Sequence, residues 1–253
     1  MTPPLFLVAR SELEGDTVVL AGREGHHAVD VRRSKVGERV DVGDGRGLRL
    51  RCQVASVSRG ELTLSVLDRV VEAPPVPCVT VAQALIKQDA ADRALAGMTE
   101  VGVDAVLAWQ AERSVVRWSP DRVQRGVRRW QASVAEAAKQ SRRAWVPTVT
   151  GPATSSDLVE HVRSVDLALV LDREAKDAVG SVDLAGVGSL LLVVGPEGGH
   201  SDVEAALLTD AGARPVHLGP TVLRSATAGT VATGVLLSRT PRWNRQASWA
   251  AAG

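Results

Sequence analysis

The sequence predicts two domains of different class: a small β-rich N-terminal domain, then an α/β domain built on a parallel-rich sheet. Three observations predict this. Residues 1 to about 70 hold four stretches in which apolar and polar side chains alternate at period two. Ala73-Pro-Pro-Val-Pro77 then makes a stiff, extended joint. From about residue 79 to 240, strand-type and helix-type patterns alternate, as in a run of βα units.

In the first domain the expected strands are Thr17–Leu20, Arg39–Val42, Leu48–Val54 and Glu61–Leu67. Turn signals at Gly43-Asp-Gly45 and Arg59-Gly60 separate them, which fits an antiparallel barrel or sandwich. His26 to Arg33 interrupts the strands as a short helix-like insert ending in two arginines.

In the second domain Val79–Leu85 is a buried-type strand. Asp89–Val101 follows as a helix closed by Gly102, and Ala105–Trp109 as a second strand. Pro120–Arg143 is expected as one long amphipathic helix, with Ser119 as cap and Pro120 at the first helical position. Val123, Val127, Trp130 and Val134 make its apolar stripe, while Arg122, Arg125 and Arg129 share another face. Then come a strand at Leu167–Leu171, a helix-like stretch near Ala175–Val179 and a strand at Leu190–Val194. Ser201–Ala211 is a helix whose Ser201 and Glu204 have capping-box spacing. A strand at Pro215–Leu218 and a helix at Ala226–Leu237 complete the pattern. The expected domain ranges are 1–72 and 78–243, with a frayed tail at 244–253.

Composition narrows the class. A chain of 253 residues, 45% of them hydrophobic, has ample material for a core. No apolar run approaches the roughly 18–20 residues that span a bilayer, and the N-terminus lacks the basic start and apolar run of a signal peptide, so no membrane partner is expected. Cys52 and Cys78 have no metal-type spacing and are expected as buried free thiols of a reducing, cytoplasmic compartment, with no metal. The net charge of +1 implies no partner, but its distribution does. Between Arg113 and Pro147 nine basic residues face two acids, and Trp109, Trp118, Trp130 and Trp145 lie in or beside that stretch. Basic residues interleaved with aromatics suit nucleic acid; a solvated helix face with inward tryptophans leaves the same pattern.

The chemistry concentrates in two loops. Leu190-Leu-Leu-Val-Val-Gly-Pro-Glu-Gly-Gly199 and Leu218-Gly-Pro-Thr-Val-Leu-Arg224 each run from an apolar strand into a glycine–proline turn that opens a helix. Such turns bring bare main-chain N–H and C=O groups against a ligand. Neither has the G-x-G-x-x-G spacing of a dinucleotide fold or the GK[ST] of a phosphate loop. Glycines also occur in plain strand-to-helix turns, and a lone Arg224 at a helix mouth also serves as an ion-pair partner.

With these pieces in order, the chain resembles the SPOUT superfamily of S-adenosylmethionine-dependent RNA methyltransferases, closest to the bacterial family that methylates N3 of a uridine in 16S ribosomal RNA. The resemblance rests on Gln83-Ala-Leu-Ile-Lys87, Thr99-Glu-Val-Gly-Val103, Glu112-Arg-Ser114, Glu136-Ala-Ala-Lys-Gln-Ser-Arg142 with Val146-Pro147, and the two loops. It implies an α/β, SPOUT-type trefoil-knotted methyltransferase domain with an N-terminal PUA-like β-barrel. It also implies an obligate homodimer acting on 16S ribosomal RNA or the assembled small subunit. The knot rests on resemblance alone, since general topology rules disfavour knots. The cofactor, S-adenosyl-L-methionine, is then expected at Leu171, Asp172, Gly195, Pro196, Glu197, Gly198, Gly199, Leu218, Gly219, Pro220 and Leu223. Arg224 is the expected catalytic residue, and RNA is expected on His27, Arg32 and Arg33 and on Arg122, Arg125, Arg129, Arg142 and Arg143. Many relatives carry Glu where this chain has Ala226, and Lys at or near Gly97, so the general base stays open. A non-catalytic ribosome-assembly module of the same fold, a methyltransferase for another RNA position, and a small-molecule enzyme remain as alternatives.

Overall fold

The computed structural model describes residues 2–244, so the expected tail, apart from Asn244, lies outside the described residues. The chain divides into two compact units: Met1–Pro74 with Ala138–Val146, and Pro75–Ala137 with Pro147–Gly253.

The first unit contains β1 (Leu5–Leu7), β2 (Thr17–Leu20), α1 (Gly22–His26), β3 (Arg39–Gly43), β4 (Leu48–Ser58) and β5 (Glu61–Val71). They form one sheet in the order β1-β3-β4-β5-β2, antiparallel except where β1 runs parallel to β3. Period two sends Val18, Leu20, Val40, Val42, Leu50, Val54, Leu62 and Leu64 into a single core with Phe6 and Leu13. β1 escapes the sequence pattern because three residues cannot display a period. β4 and β5 each run four mostly exposed residues past their predicted ends, to Ser58 and Val71, at opposite ends of their hairpin. Backbone pairing carries that extension, and hydrophobic periodicity does not register it. The expected insert is α1, continued by a wider helical turn over His27–Val31. Gly25 lets α1 lie on the strands: a Cβ there would fall 2.3 Å from the Gly60 carbonyl oxygen.

Residues 138–146, inside the range expected for the second domain, group with this barrel. The Gly47 N–H donates to the Ala144 carbonyl at 3.0 Å, and the Val146 N–H to that of Gly45 at 2.9 Å. Arg49, 1% exposed, donates to the Arg142 carbonyl at 2.6 Å and faces Asp41 at 3.3 Å. Lys139 and Glu24 form a second buried pair at 2.9 Å.

The second unit holds β6 (Cys78–Ala84), α2 (Gln88–Val101), β7 (Ala105–Trp109), most of α3 (Val123–Gln140), β8 (Thr148–Ala153), α4 (Ser155–Arg163), β9 (Leu167–Leu171), β10 (Ser189–Val194), α5 (Asp202–Asp210), β11 (Arg214–Val216) and α6 (Ser225–Leu237). All six strands are parallel, in the order β11-β9-β10-β6-β7-β8. Helices cover both faces of β10, since Leu191 and Val193 pack with Leu158 of α4 and Leu208 of α5 while Val194 meets Gly229 of α6, which is why Leu190–Val194 is an unbroken apolar run, wholly buried.

Three expectations need correction. Pro120 does not open a helix: Arg122 and Val123 both donate to the Ser119 carbonyl in a turn, and α3 begins at Val123. Its far end is Gln140, because Arg142 takes φ +60°, outside helical space. The stretch near Ala175–Val179 is no helix; a single short turn covers Val179–Ser181. β8 and α4 were not expected. Gly151-Pro152 inside β8 looks like a strand breaker, but β8 is an edge strand and bulges against β7 there.

Candidate functional site

Because the strands are parallel, the carboxyl ends of β9, β10 and β11 open at one edge, and their loops surround a cavity of about 480 Å³. Leu171, Asp172, all of Gly195–Gly199, Leu218, Gly219, Leu223 and Arg224 line it. Pro220, also expected there, does not. Glycine is needed where the loops turn: Gly199 sits at φ +72° and Gly219 at φ +106°, and the Gly199 N–H closes a tight turn onto the Pro196 carbonyl at 2.9 Å.

The two loops are tied together by a buried relay. The Ser225 hydroxyl donates to the Gly195 carbonyl at 2.6 Å and accepts from the Gln83 amide at 3.0 Å. Gln83 is fully buried at the end of β6. One hydroxyl therefore fixes the start of the β10 loop against the first turn of α6. Arg224 immediately precedes that turn as its N-cap residue; its side chain is exposed and makes no ion pair among the described residues.

A second group of residues holds the other end of the β10 loop. Glu204, 2% exposed, accepts from the Glu112 N–H at 2.8 Å, the Ser155 hydroxyl at 2.7 Å and the Ser201 N–H at 3.0 Å. Burial alone would raise its pKa, but those hydrogen bonds outweigh it and hold the carboxyl below its ordinary value. Arg113 donates through one nitrogen to the Gly198 carbonyl at 3.3 Å and the His200 carbonyl at 2.8 Å. The His200 ring occupies the space a Gly195 side chain would need and stacks on Trp109. Desolvation pushes its pKa down, so the ring is neutral at pH 7.

His200 and Arg113 were not among the expected site residues, and Glu204 was expected only as half of a cap. Arg113 and His200 lie 87 positions apart in sequence, and no local pattern reports a contact that a sheet edge creates. The quoted Glu112-Arg-Ser114 piece was the available signal for Arg113.

The expected RNA residues fall on both units. His27, Arg32 and Arg33 are exposed beside and beyond α1 in the first unit. Arg122, Arg125 and Arg129 are exposed in the second unit, with Arg129 3.3 Å from Asp92. Arg142 and Arg143 do not continue that row: they lie past the helix end, half-buried, in the barrel unit. The tryptophans do not form a stacking surface. Trp109 and Trp130 are buried, Trp118 packs edge-on to Trp130 at 5.2 Å, and Trp145 donates to the Glu72 carbonyl at 3.1 Å. Cys78 is exposed rather than buried, while Cys52 is buried; both are free. No cluster of His, Cys, Asp and Glu suited to a metal ion occurs among the described residues. No helix among them is long and apolar enough to cross a membrane.

Residues 72–237 match the model of an RNA methyltransferase domain, and residues 20–67 that of an RNA methyltransferase PUA domain. A ribosomal RNA small subunit methyltransferase E from Mycobacterium tuberculosis is 47% identical over 98% of this chain and 96% of its own length. That of Bacillus subtilis is 30% identical over 90% and 92%. The crystal structure of a ribosomal RNA small subunit methyltransferase E from Neisseria gonorrhoeae bound to S-adenosyl methionine superposes with a TM-score of 0.82 at 25% identity, covering 93% of this chain and 97% of that one. A parallel sheet ending in a main-chain-lined cavity, a PUA domain ahead of it and near-complete alignment with these relatives agree: the chain belongs to the ribosomal RNA small subunit methyltransferase E family of RNA methyltransferases.

Proposed function

We propose that this protein transfers a methyl group from S-adenosyl-L-methionine to N3 of a uridine in 16S ribosomal RNA, in the cytoplasm and as a homodimer with the knotted threading of its superfamily. The observation that carries the reading is a cavity walled by main chain from three adjacent strand ends, with an exposed arginine at its edge that makes no ion pair among the described residues. The residues fit the cofactor. The volume of about 480 Å³ suits a molecule of that size, and the lining mixes four acids, Asp172, Glu174, Glu197 and Asp202, with Arg113, Arg173 and Arg224, which suits a ligand that carries both signs of charge. Leu171 with Asp172, the Gly195–Gly199 loop, and Leu218, Gly219 and Leu223 would hold it.

When bound, the sulfonium supplies an electrophilic methyl and needs no metal to activate it. The harder partner is uracil N3, which carries a proton near neutral pH. If its pKa lies about two to three units above the medium, ionisation costs about 3–4 kcal/mol, at about 1.4 kcal/mol per unit. Arg224 lowers that cost by placing a guanidinium where negative charge develops on the uracil oxygens. The Gln83–Ser225–Gly195 relay keeps Arg224 and the β10 loop in register, so positioning contributes as well.

Mass mapping of 16S RNA from cells lacking this protein tests the reading. The expected result is loss of one N3-methyluridine, restored by the wild-type gene; an unchanged set of methylated uridines overturns it. Ala226, where many relatives carry Glu, favours a second reading, a non-catalytic assembly module. Calorimetry with S-adenosyl-L-methionine separates the two, since a module with no use for the cofactor gives no heat.

A further inference from the structure

Arg113 stands between the cofactor loop and the basic stretch that begins with it. It is exposed, lines the cavity, and spends one terminal nitrogen on two carbonyls of the β10 loop, Gly198 and His200. Its other terminal nitrogen and its Nε have no hydrogen-bond partner among the described residues. The backbone beneath it is fixed: the Glu112 N–H is held by buried Glu204, and the Glu112 carbonyl by Arg117 at 3.0 Å. Gly198 packs against the Arg113 stem, where a Cβ would sit 3.4 Å from the Arg113 Cβ. The side chain is therefore anchored at its root, committed along one edge to the loop and open along the other. Beyond it lie Arg117, Arg122 and Arg125, all exposed in the same unit.

From this we propose that Arg113 couples the two ligands: its inner edge shapes the cofactor loop while its outer edge takes a phosphate of the RNA backbone. The inference rests on the function proposed above. A planar guanidinium can serve two partners on different edges at once, which an ammonium cannot do with the same geometry. A phosphate on the outer edge orders the side chain and so favours the loop conformation that the cofactor needs. By linkage the cofactor then strengthens RNA binding by the same factor.

The test is calorimetric titration of the protein with S-adenosylhomocysteine, which cannot transfer a methyl group, with and without 16S ribosomal RNA transcript. Filter binding of the RNA across a salt series runs alongside. Wild type is expected to bind the nucleoside about five-fold or more tightly with RNA present. Arg113→Ala is expected to weaken nucleoside binding, lose the coupling, and flatten the salt slope by about 0.7–0.9. Arg113→Lys keeps the charge, so its salt slope stays at the wild-type value while the coupling falls. A wild type that binds both ligands with no mutual effect overturns the coupling and leaves the proposed function standing. A wild type that does not bind the nucleoside at all overturns both. An Arg113→Ala variant with weakened nucleoside binding but an unchanged salt slope reduces Arg113 to a structural clamp and overturns the phosphate contact.

Discussion

The imidazole of His200 stacks on the indole of Trp109, centroids 5.5 Å apart and planes 23° from parallel, with its Nε2 buried and without a partner among the described residues. That ring fills the space beside Gly195 and thereby forms part of the cavity wall behind the β10 loop.

The stack makes stability depend on pH. Burial depresses the folded pKa of His200 below its ordinary 6.5, so below that pH the unfolded chain binds the proton more readily. The contribution is complete above about pH 6.5 and is lost as pH falls toward the folded pKa. The melting temperature is expected to drop between pH 7 and pH 5, and to drop less in His200→Phe, which keeps the stack without the proton. Identical pH profiles for the two proteins would rule this out.

Ser225→Ala removes the hydroxyl that joins Gln83 to Gly195. It leaves the buried Gln83 amide with only its 3.3 Å contact to the Ala84 carbonyl and takes the donor from the half-buried Gly195 carbonyl, a loss of about 1–3 kcal/mol. Urea unfolding measures this, and a change below about 0.5 kcal/mol would show that the relay adds nothing.

Arg224→Ala is expected to lower turnover about 100-fold or more, the scale seen when one donor to a developing anion is removed. Because the side chain is exposed at the cavity edge, the dissociation constant for S-adenosyl-L-methionine should change less than about three-fold. Wild-type turnover in the variant would remove Arg224 from the reaction.

Arg125→Glu with Arg129→Glu reverses charge on the exposed face of α3 and should weaken RNA binding and flatten its salt dependence. Arg142→Ala should act differently. Its side chain is half-buried in the barrel unit, so the expected effect is a lower melting temperature. Equal salt slopes for wild type and the α3 double variant would clear that face of RNA.

The thiols should separate cleanly in a labelling experiment. Cys78 is exposed, with its thiol raised by partial desolvation and by Asp104, while deeper burial drives the Cys52 thiol up to about 12. A thiol reagent at pH 8 should modify one cysteine per native chain and two in denaturant. Labelling of both in the native protein would contradict the barrel core.

The fold was legible wherever one periodic pattern had one physical cause. The alternation of Val18 with Leu20 and of Leu62 with Leu64 reports one buried sheet face, and the unbroken Leu190–Val194 run reports a strand covered on both sides. The Ser201–Glu204 cap was readable because both partners lie within one turn, and the Ser201 hydroxyl does accept the Glu204 N–H at 3.2 Å. What could not be read shares the opposite property. β1 is too short to show a period, and Arg142 leaves the helix because of a backbone angle that composition does not encode. The contacts of Gln83, Arg113 and His200 join residues that only the parallel order of strands makes neighbours. The loops carrying the cavity were visible in sequence, whereas the side chains that hold them in shape were not.

The return of residues 138–146 to the barrel has a consequence for how the molecule is made. Gly45, Gly47, Glu24 and Arg49 each make a bond to Val146, Ala144, Lys139 and Arg142 in turn. While the chain is being synthesised, the N-terminal sheet must wait for more than sixty further residues to leave the ribosome before these bonds form. A fragment cut at the proline joint inherits the strands but not their closure. The gene segment for the barrel is thus not a cassette that could be moved to another protein and expected to fold there unaided.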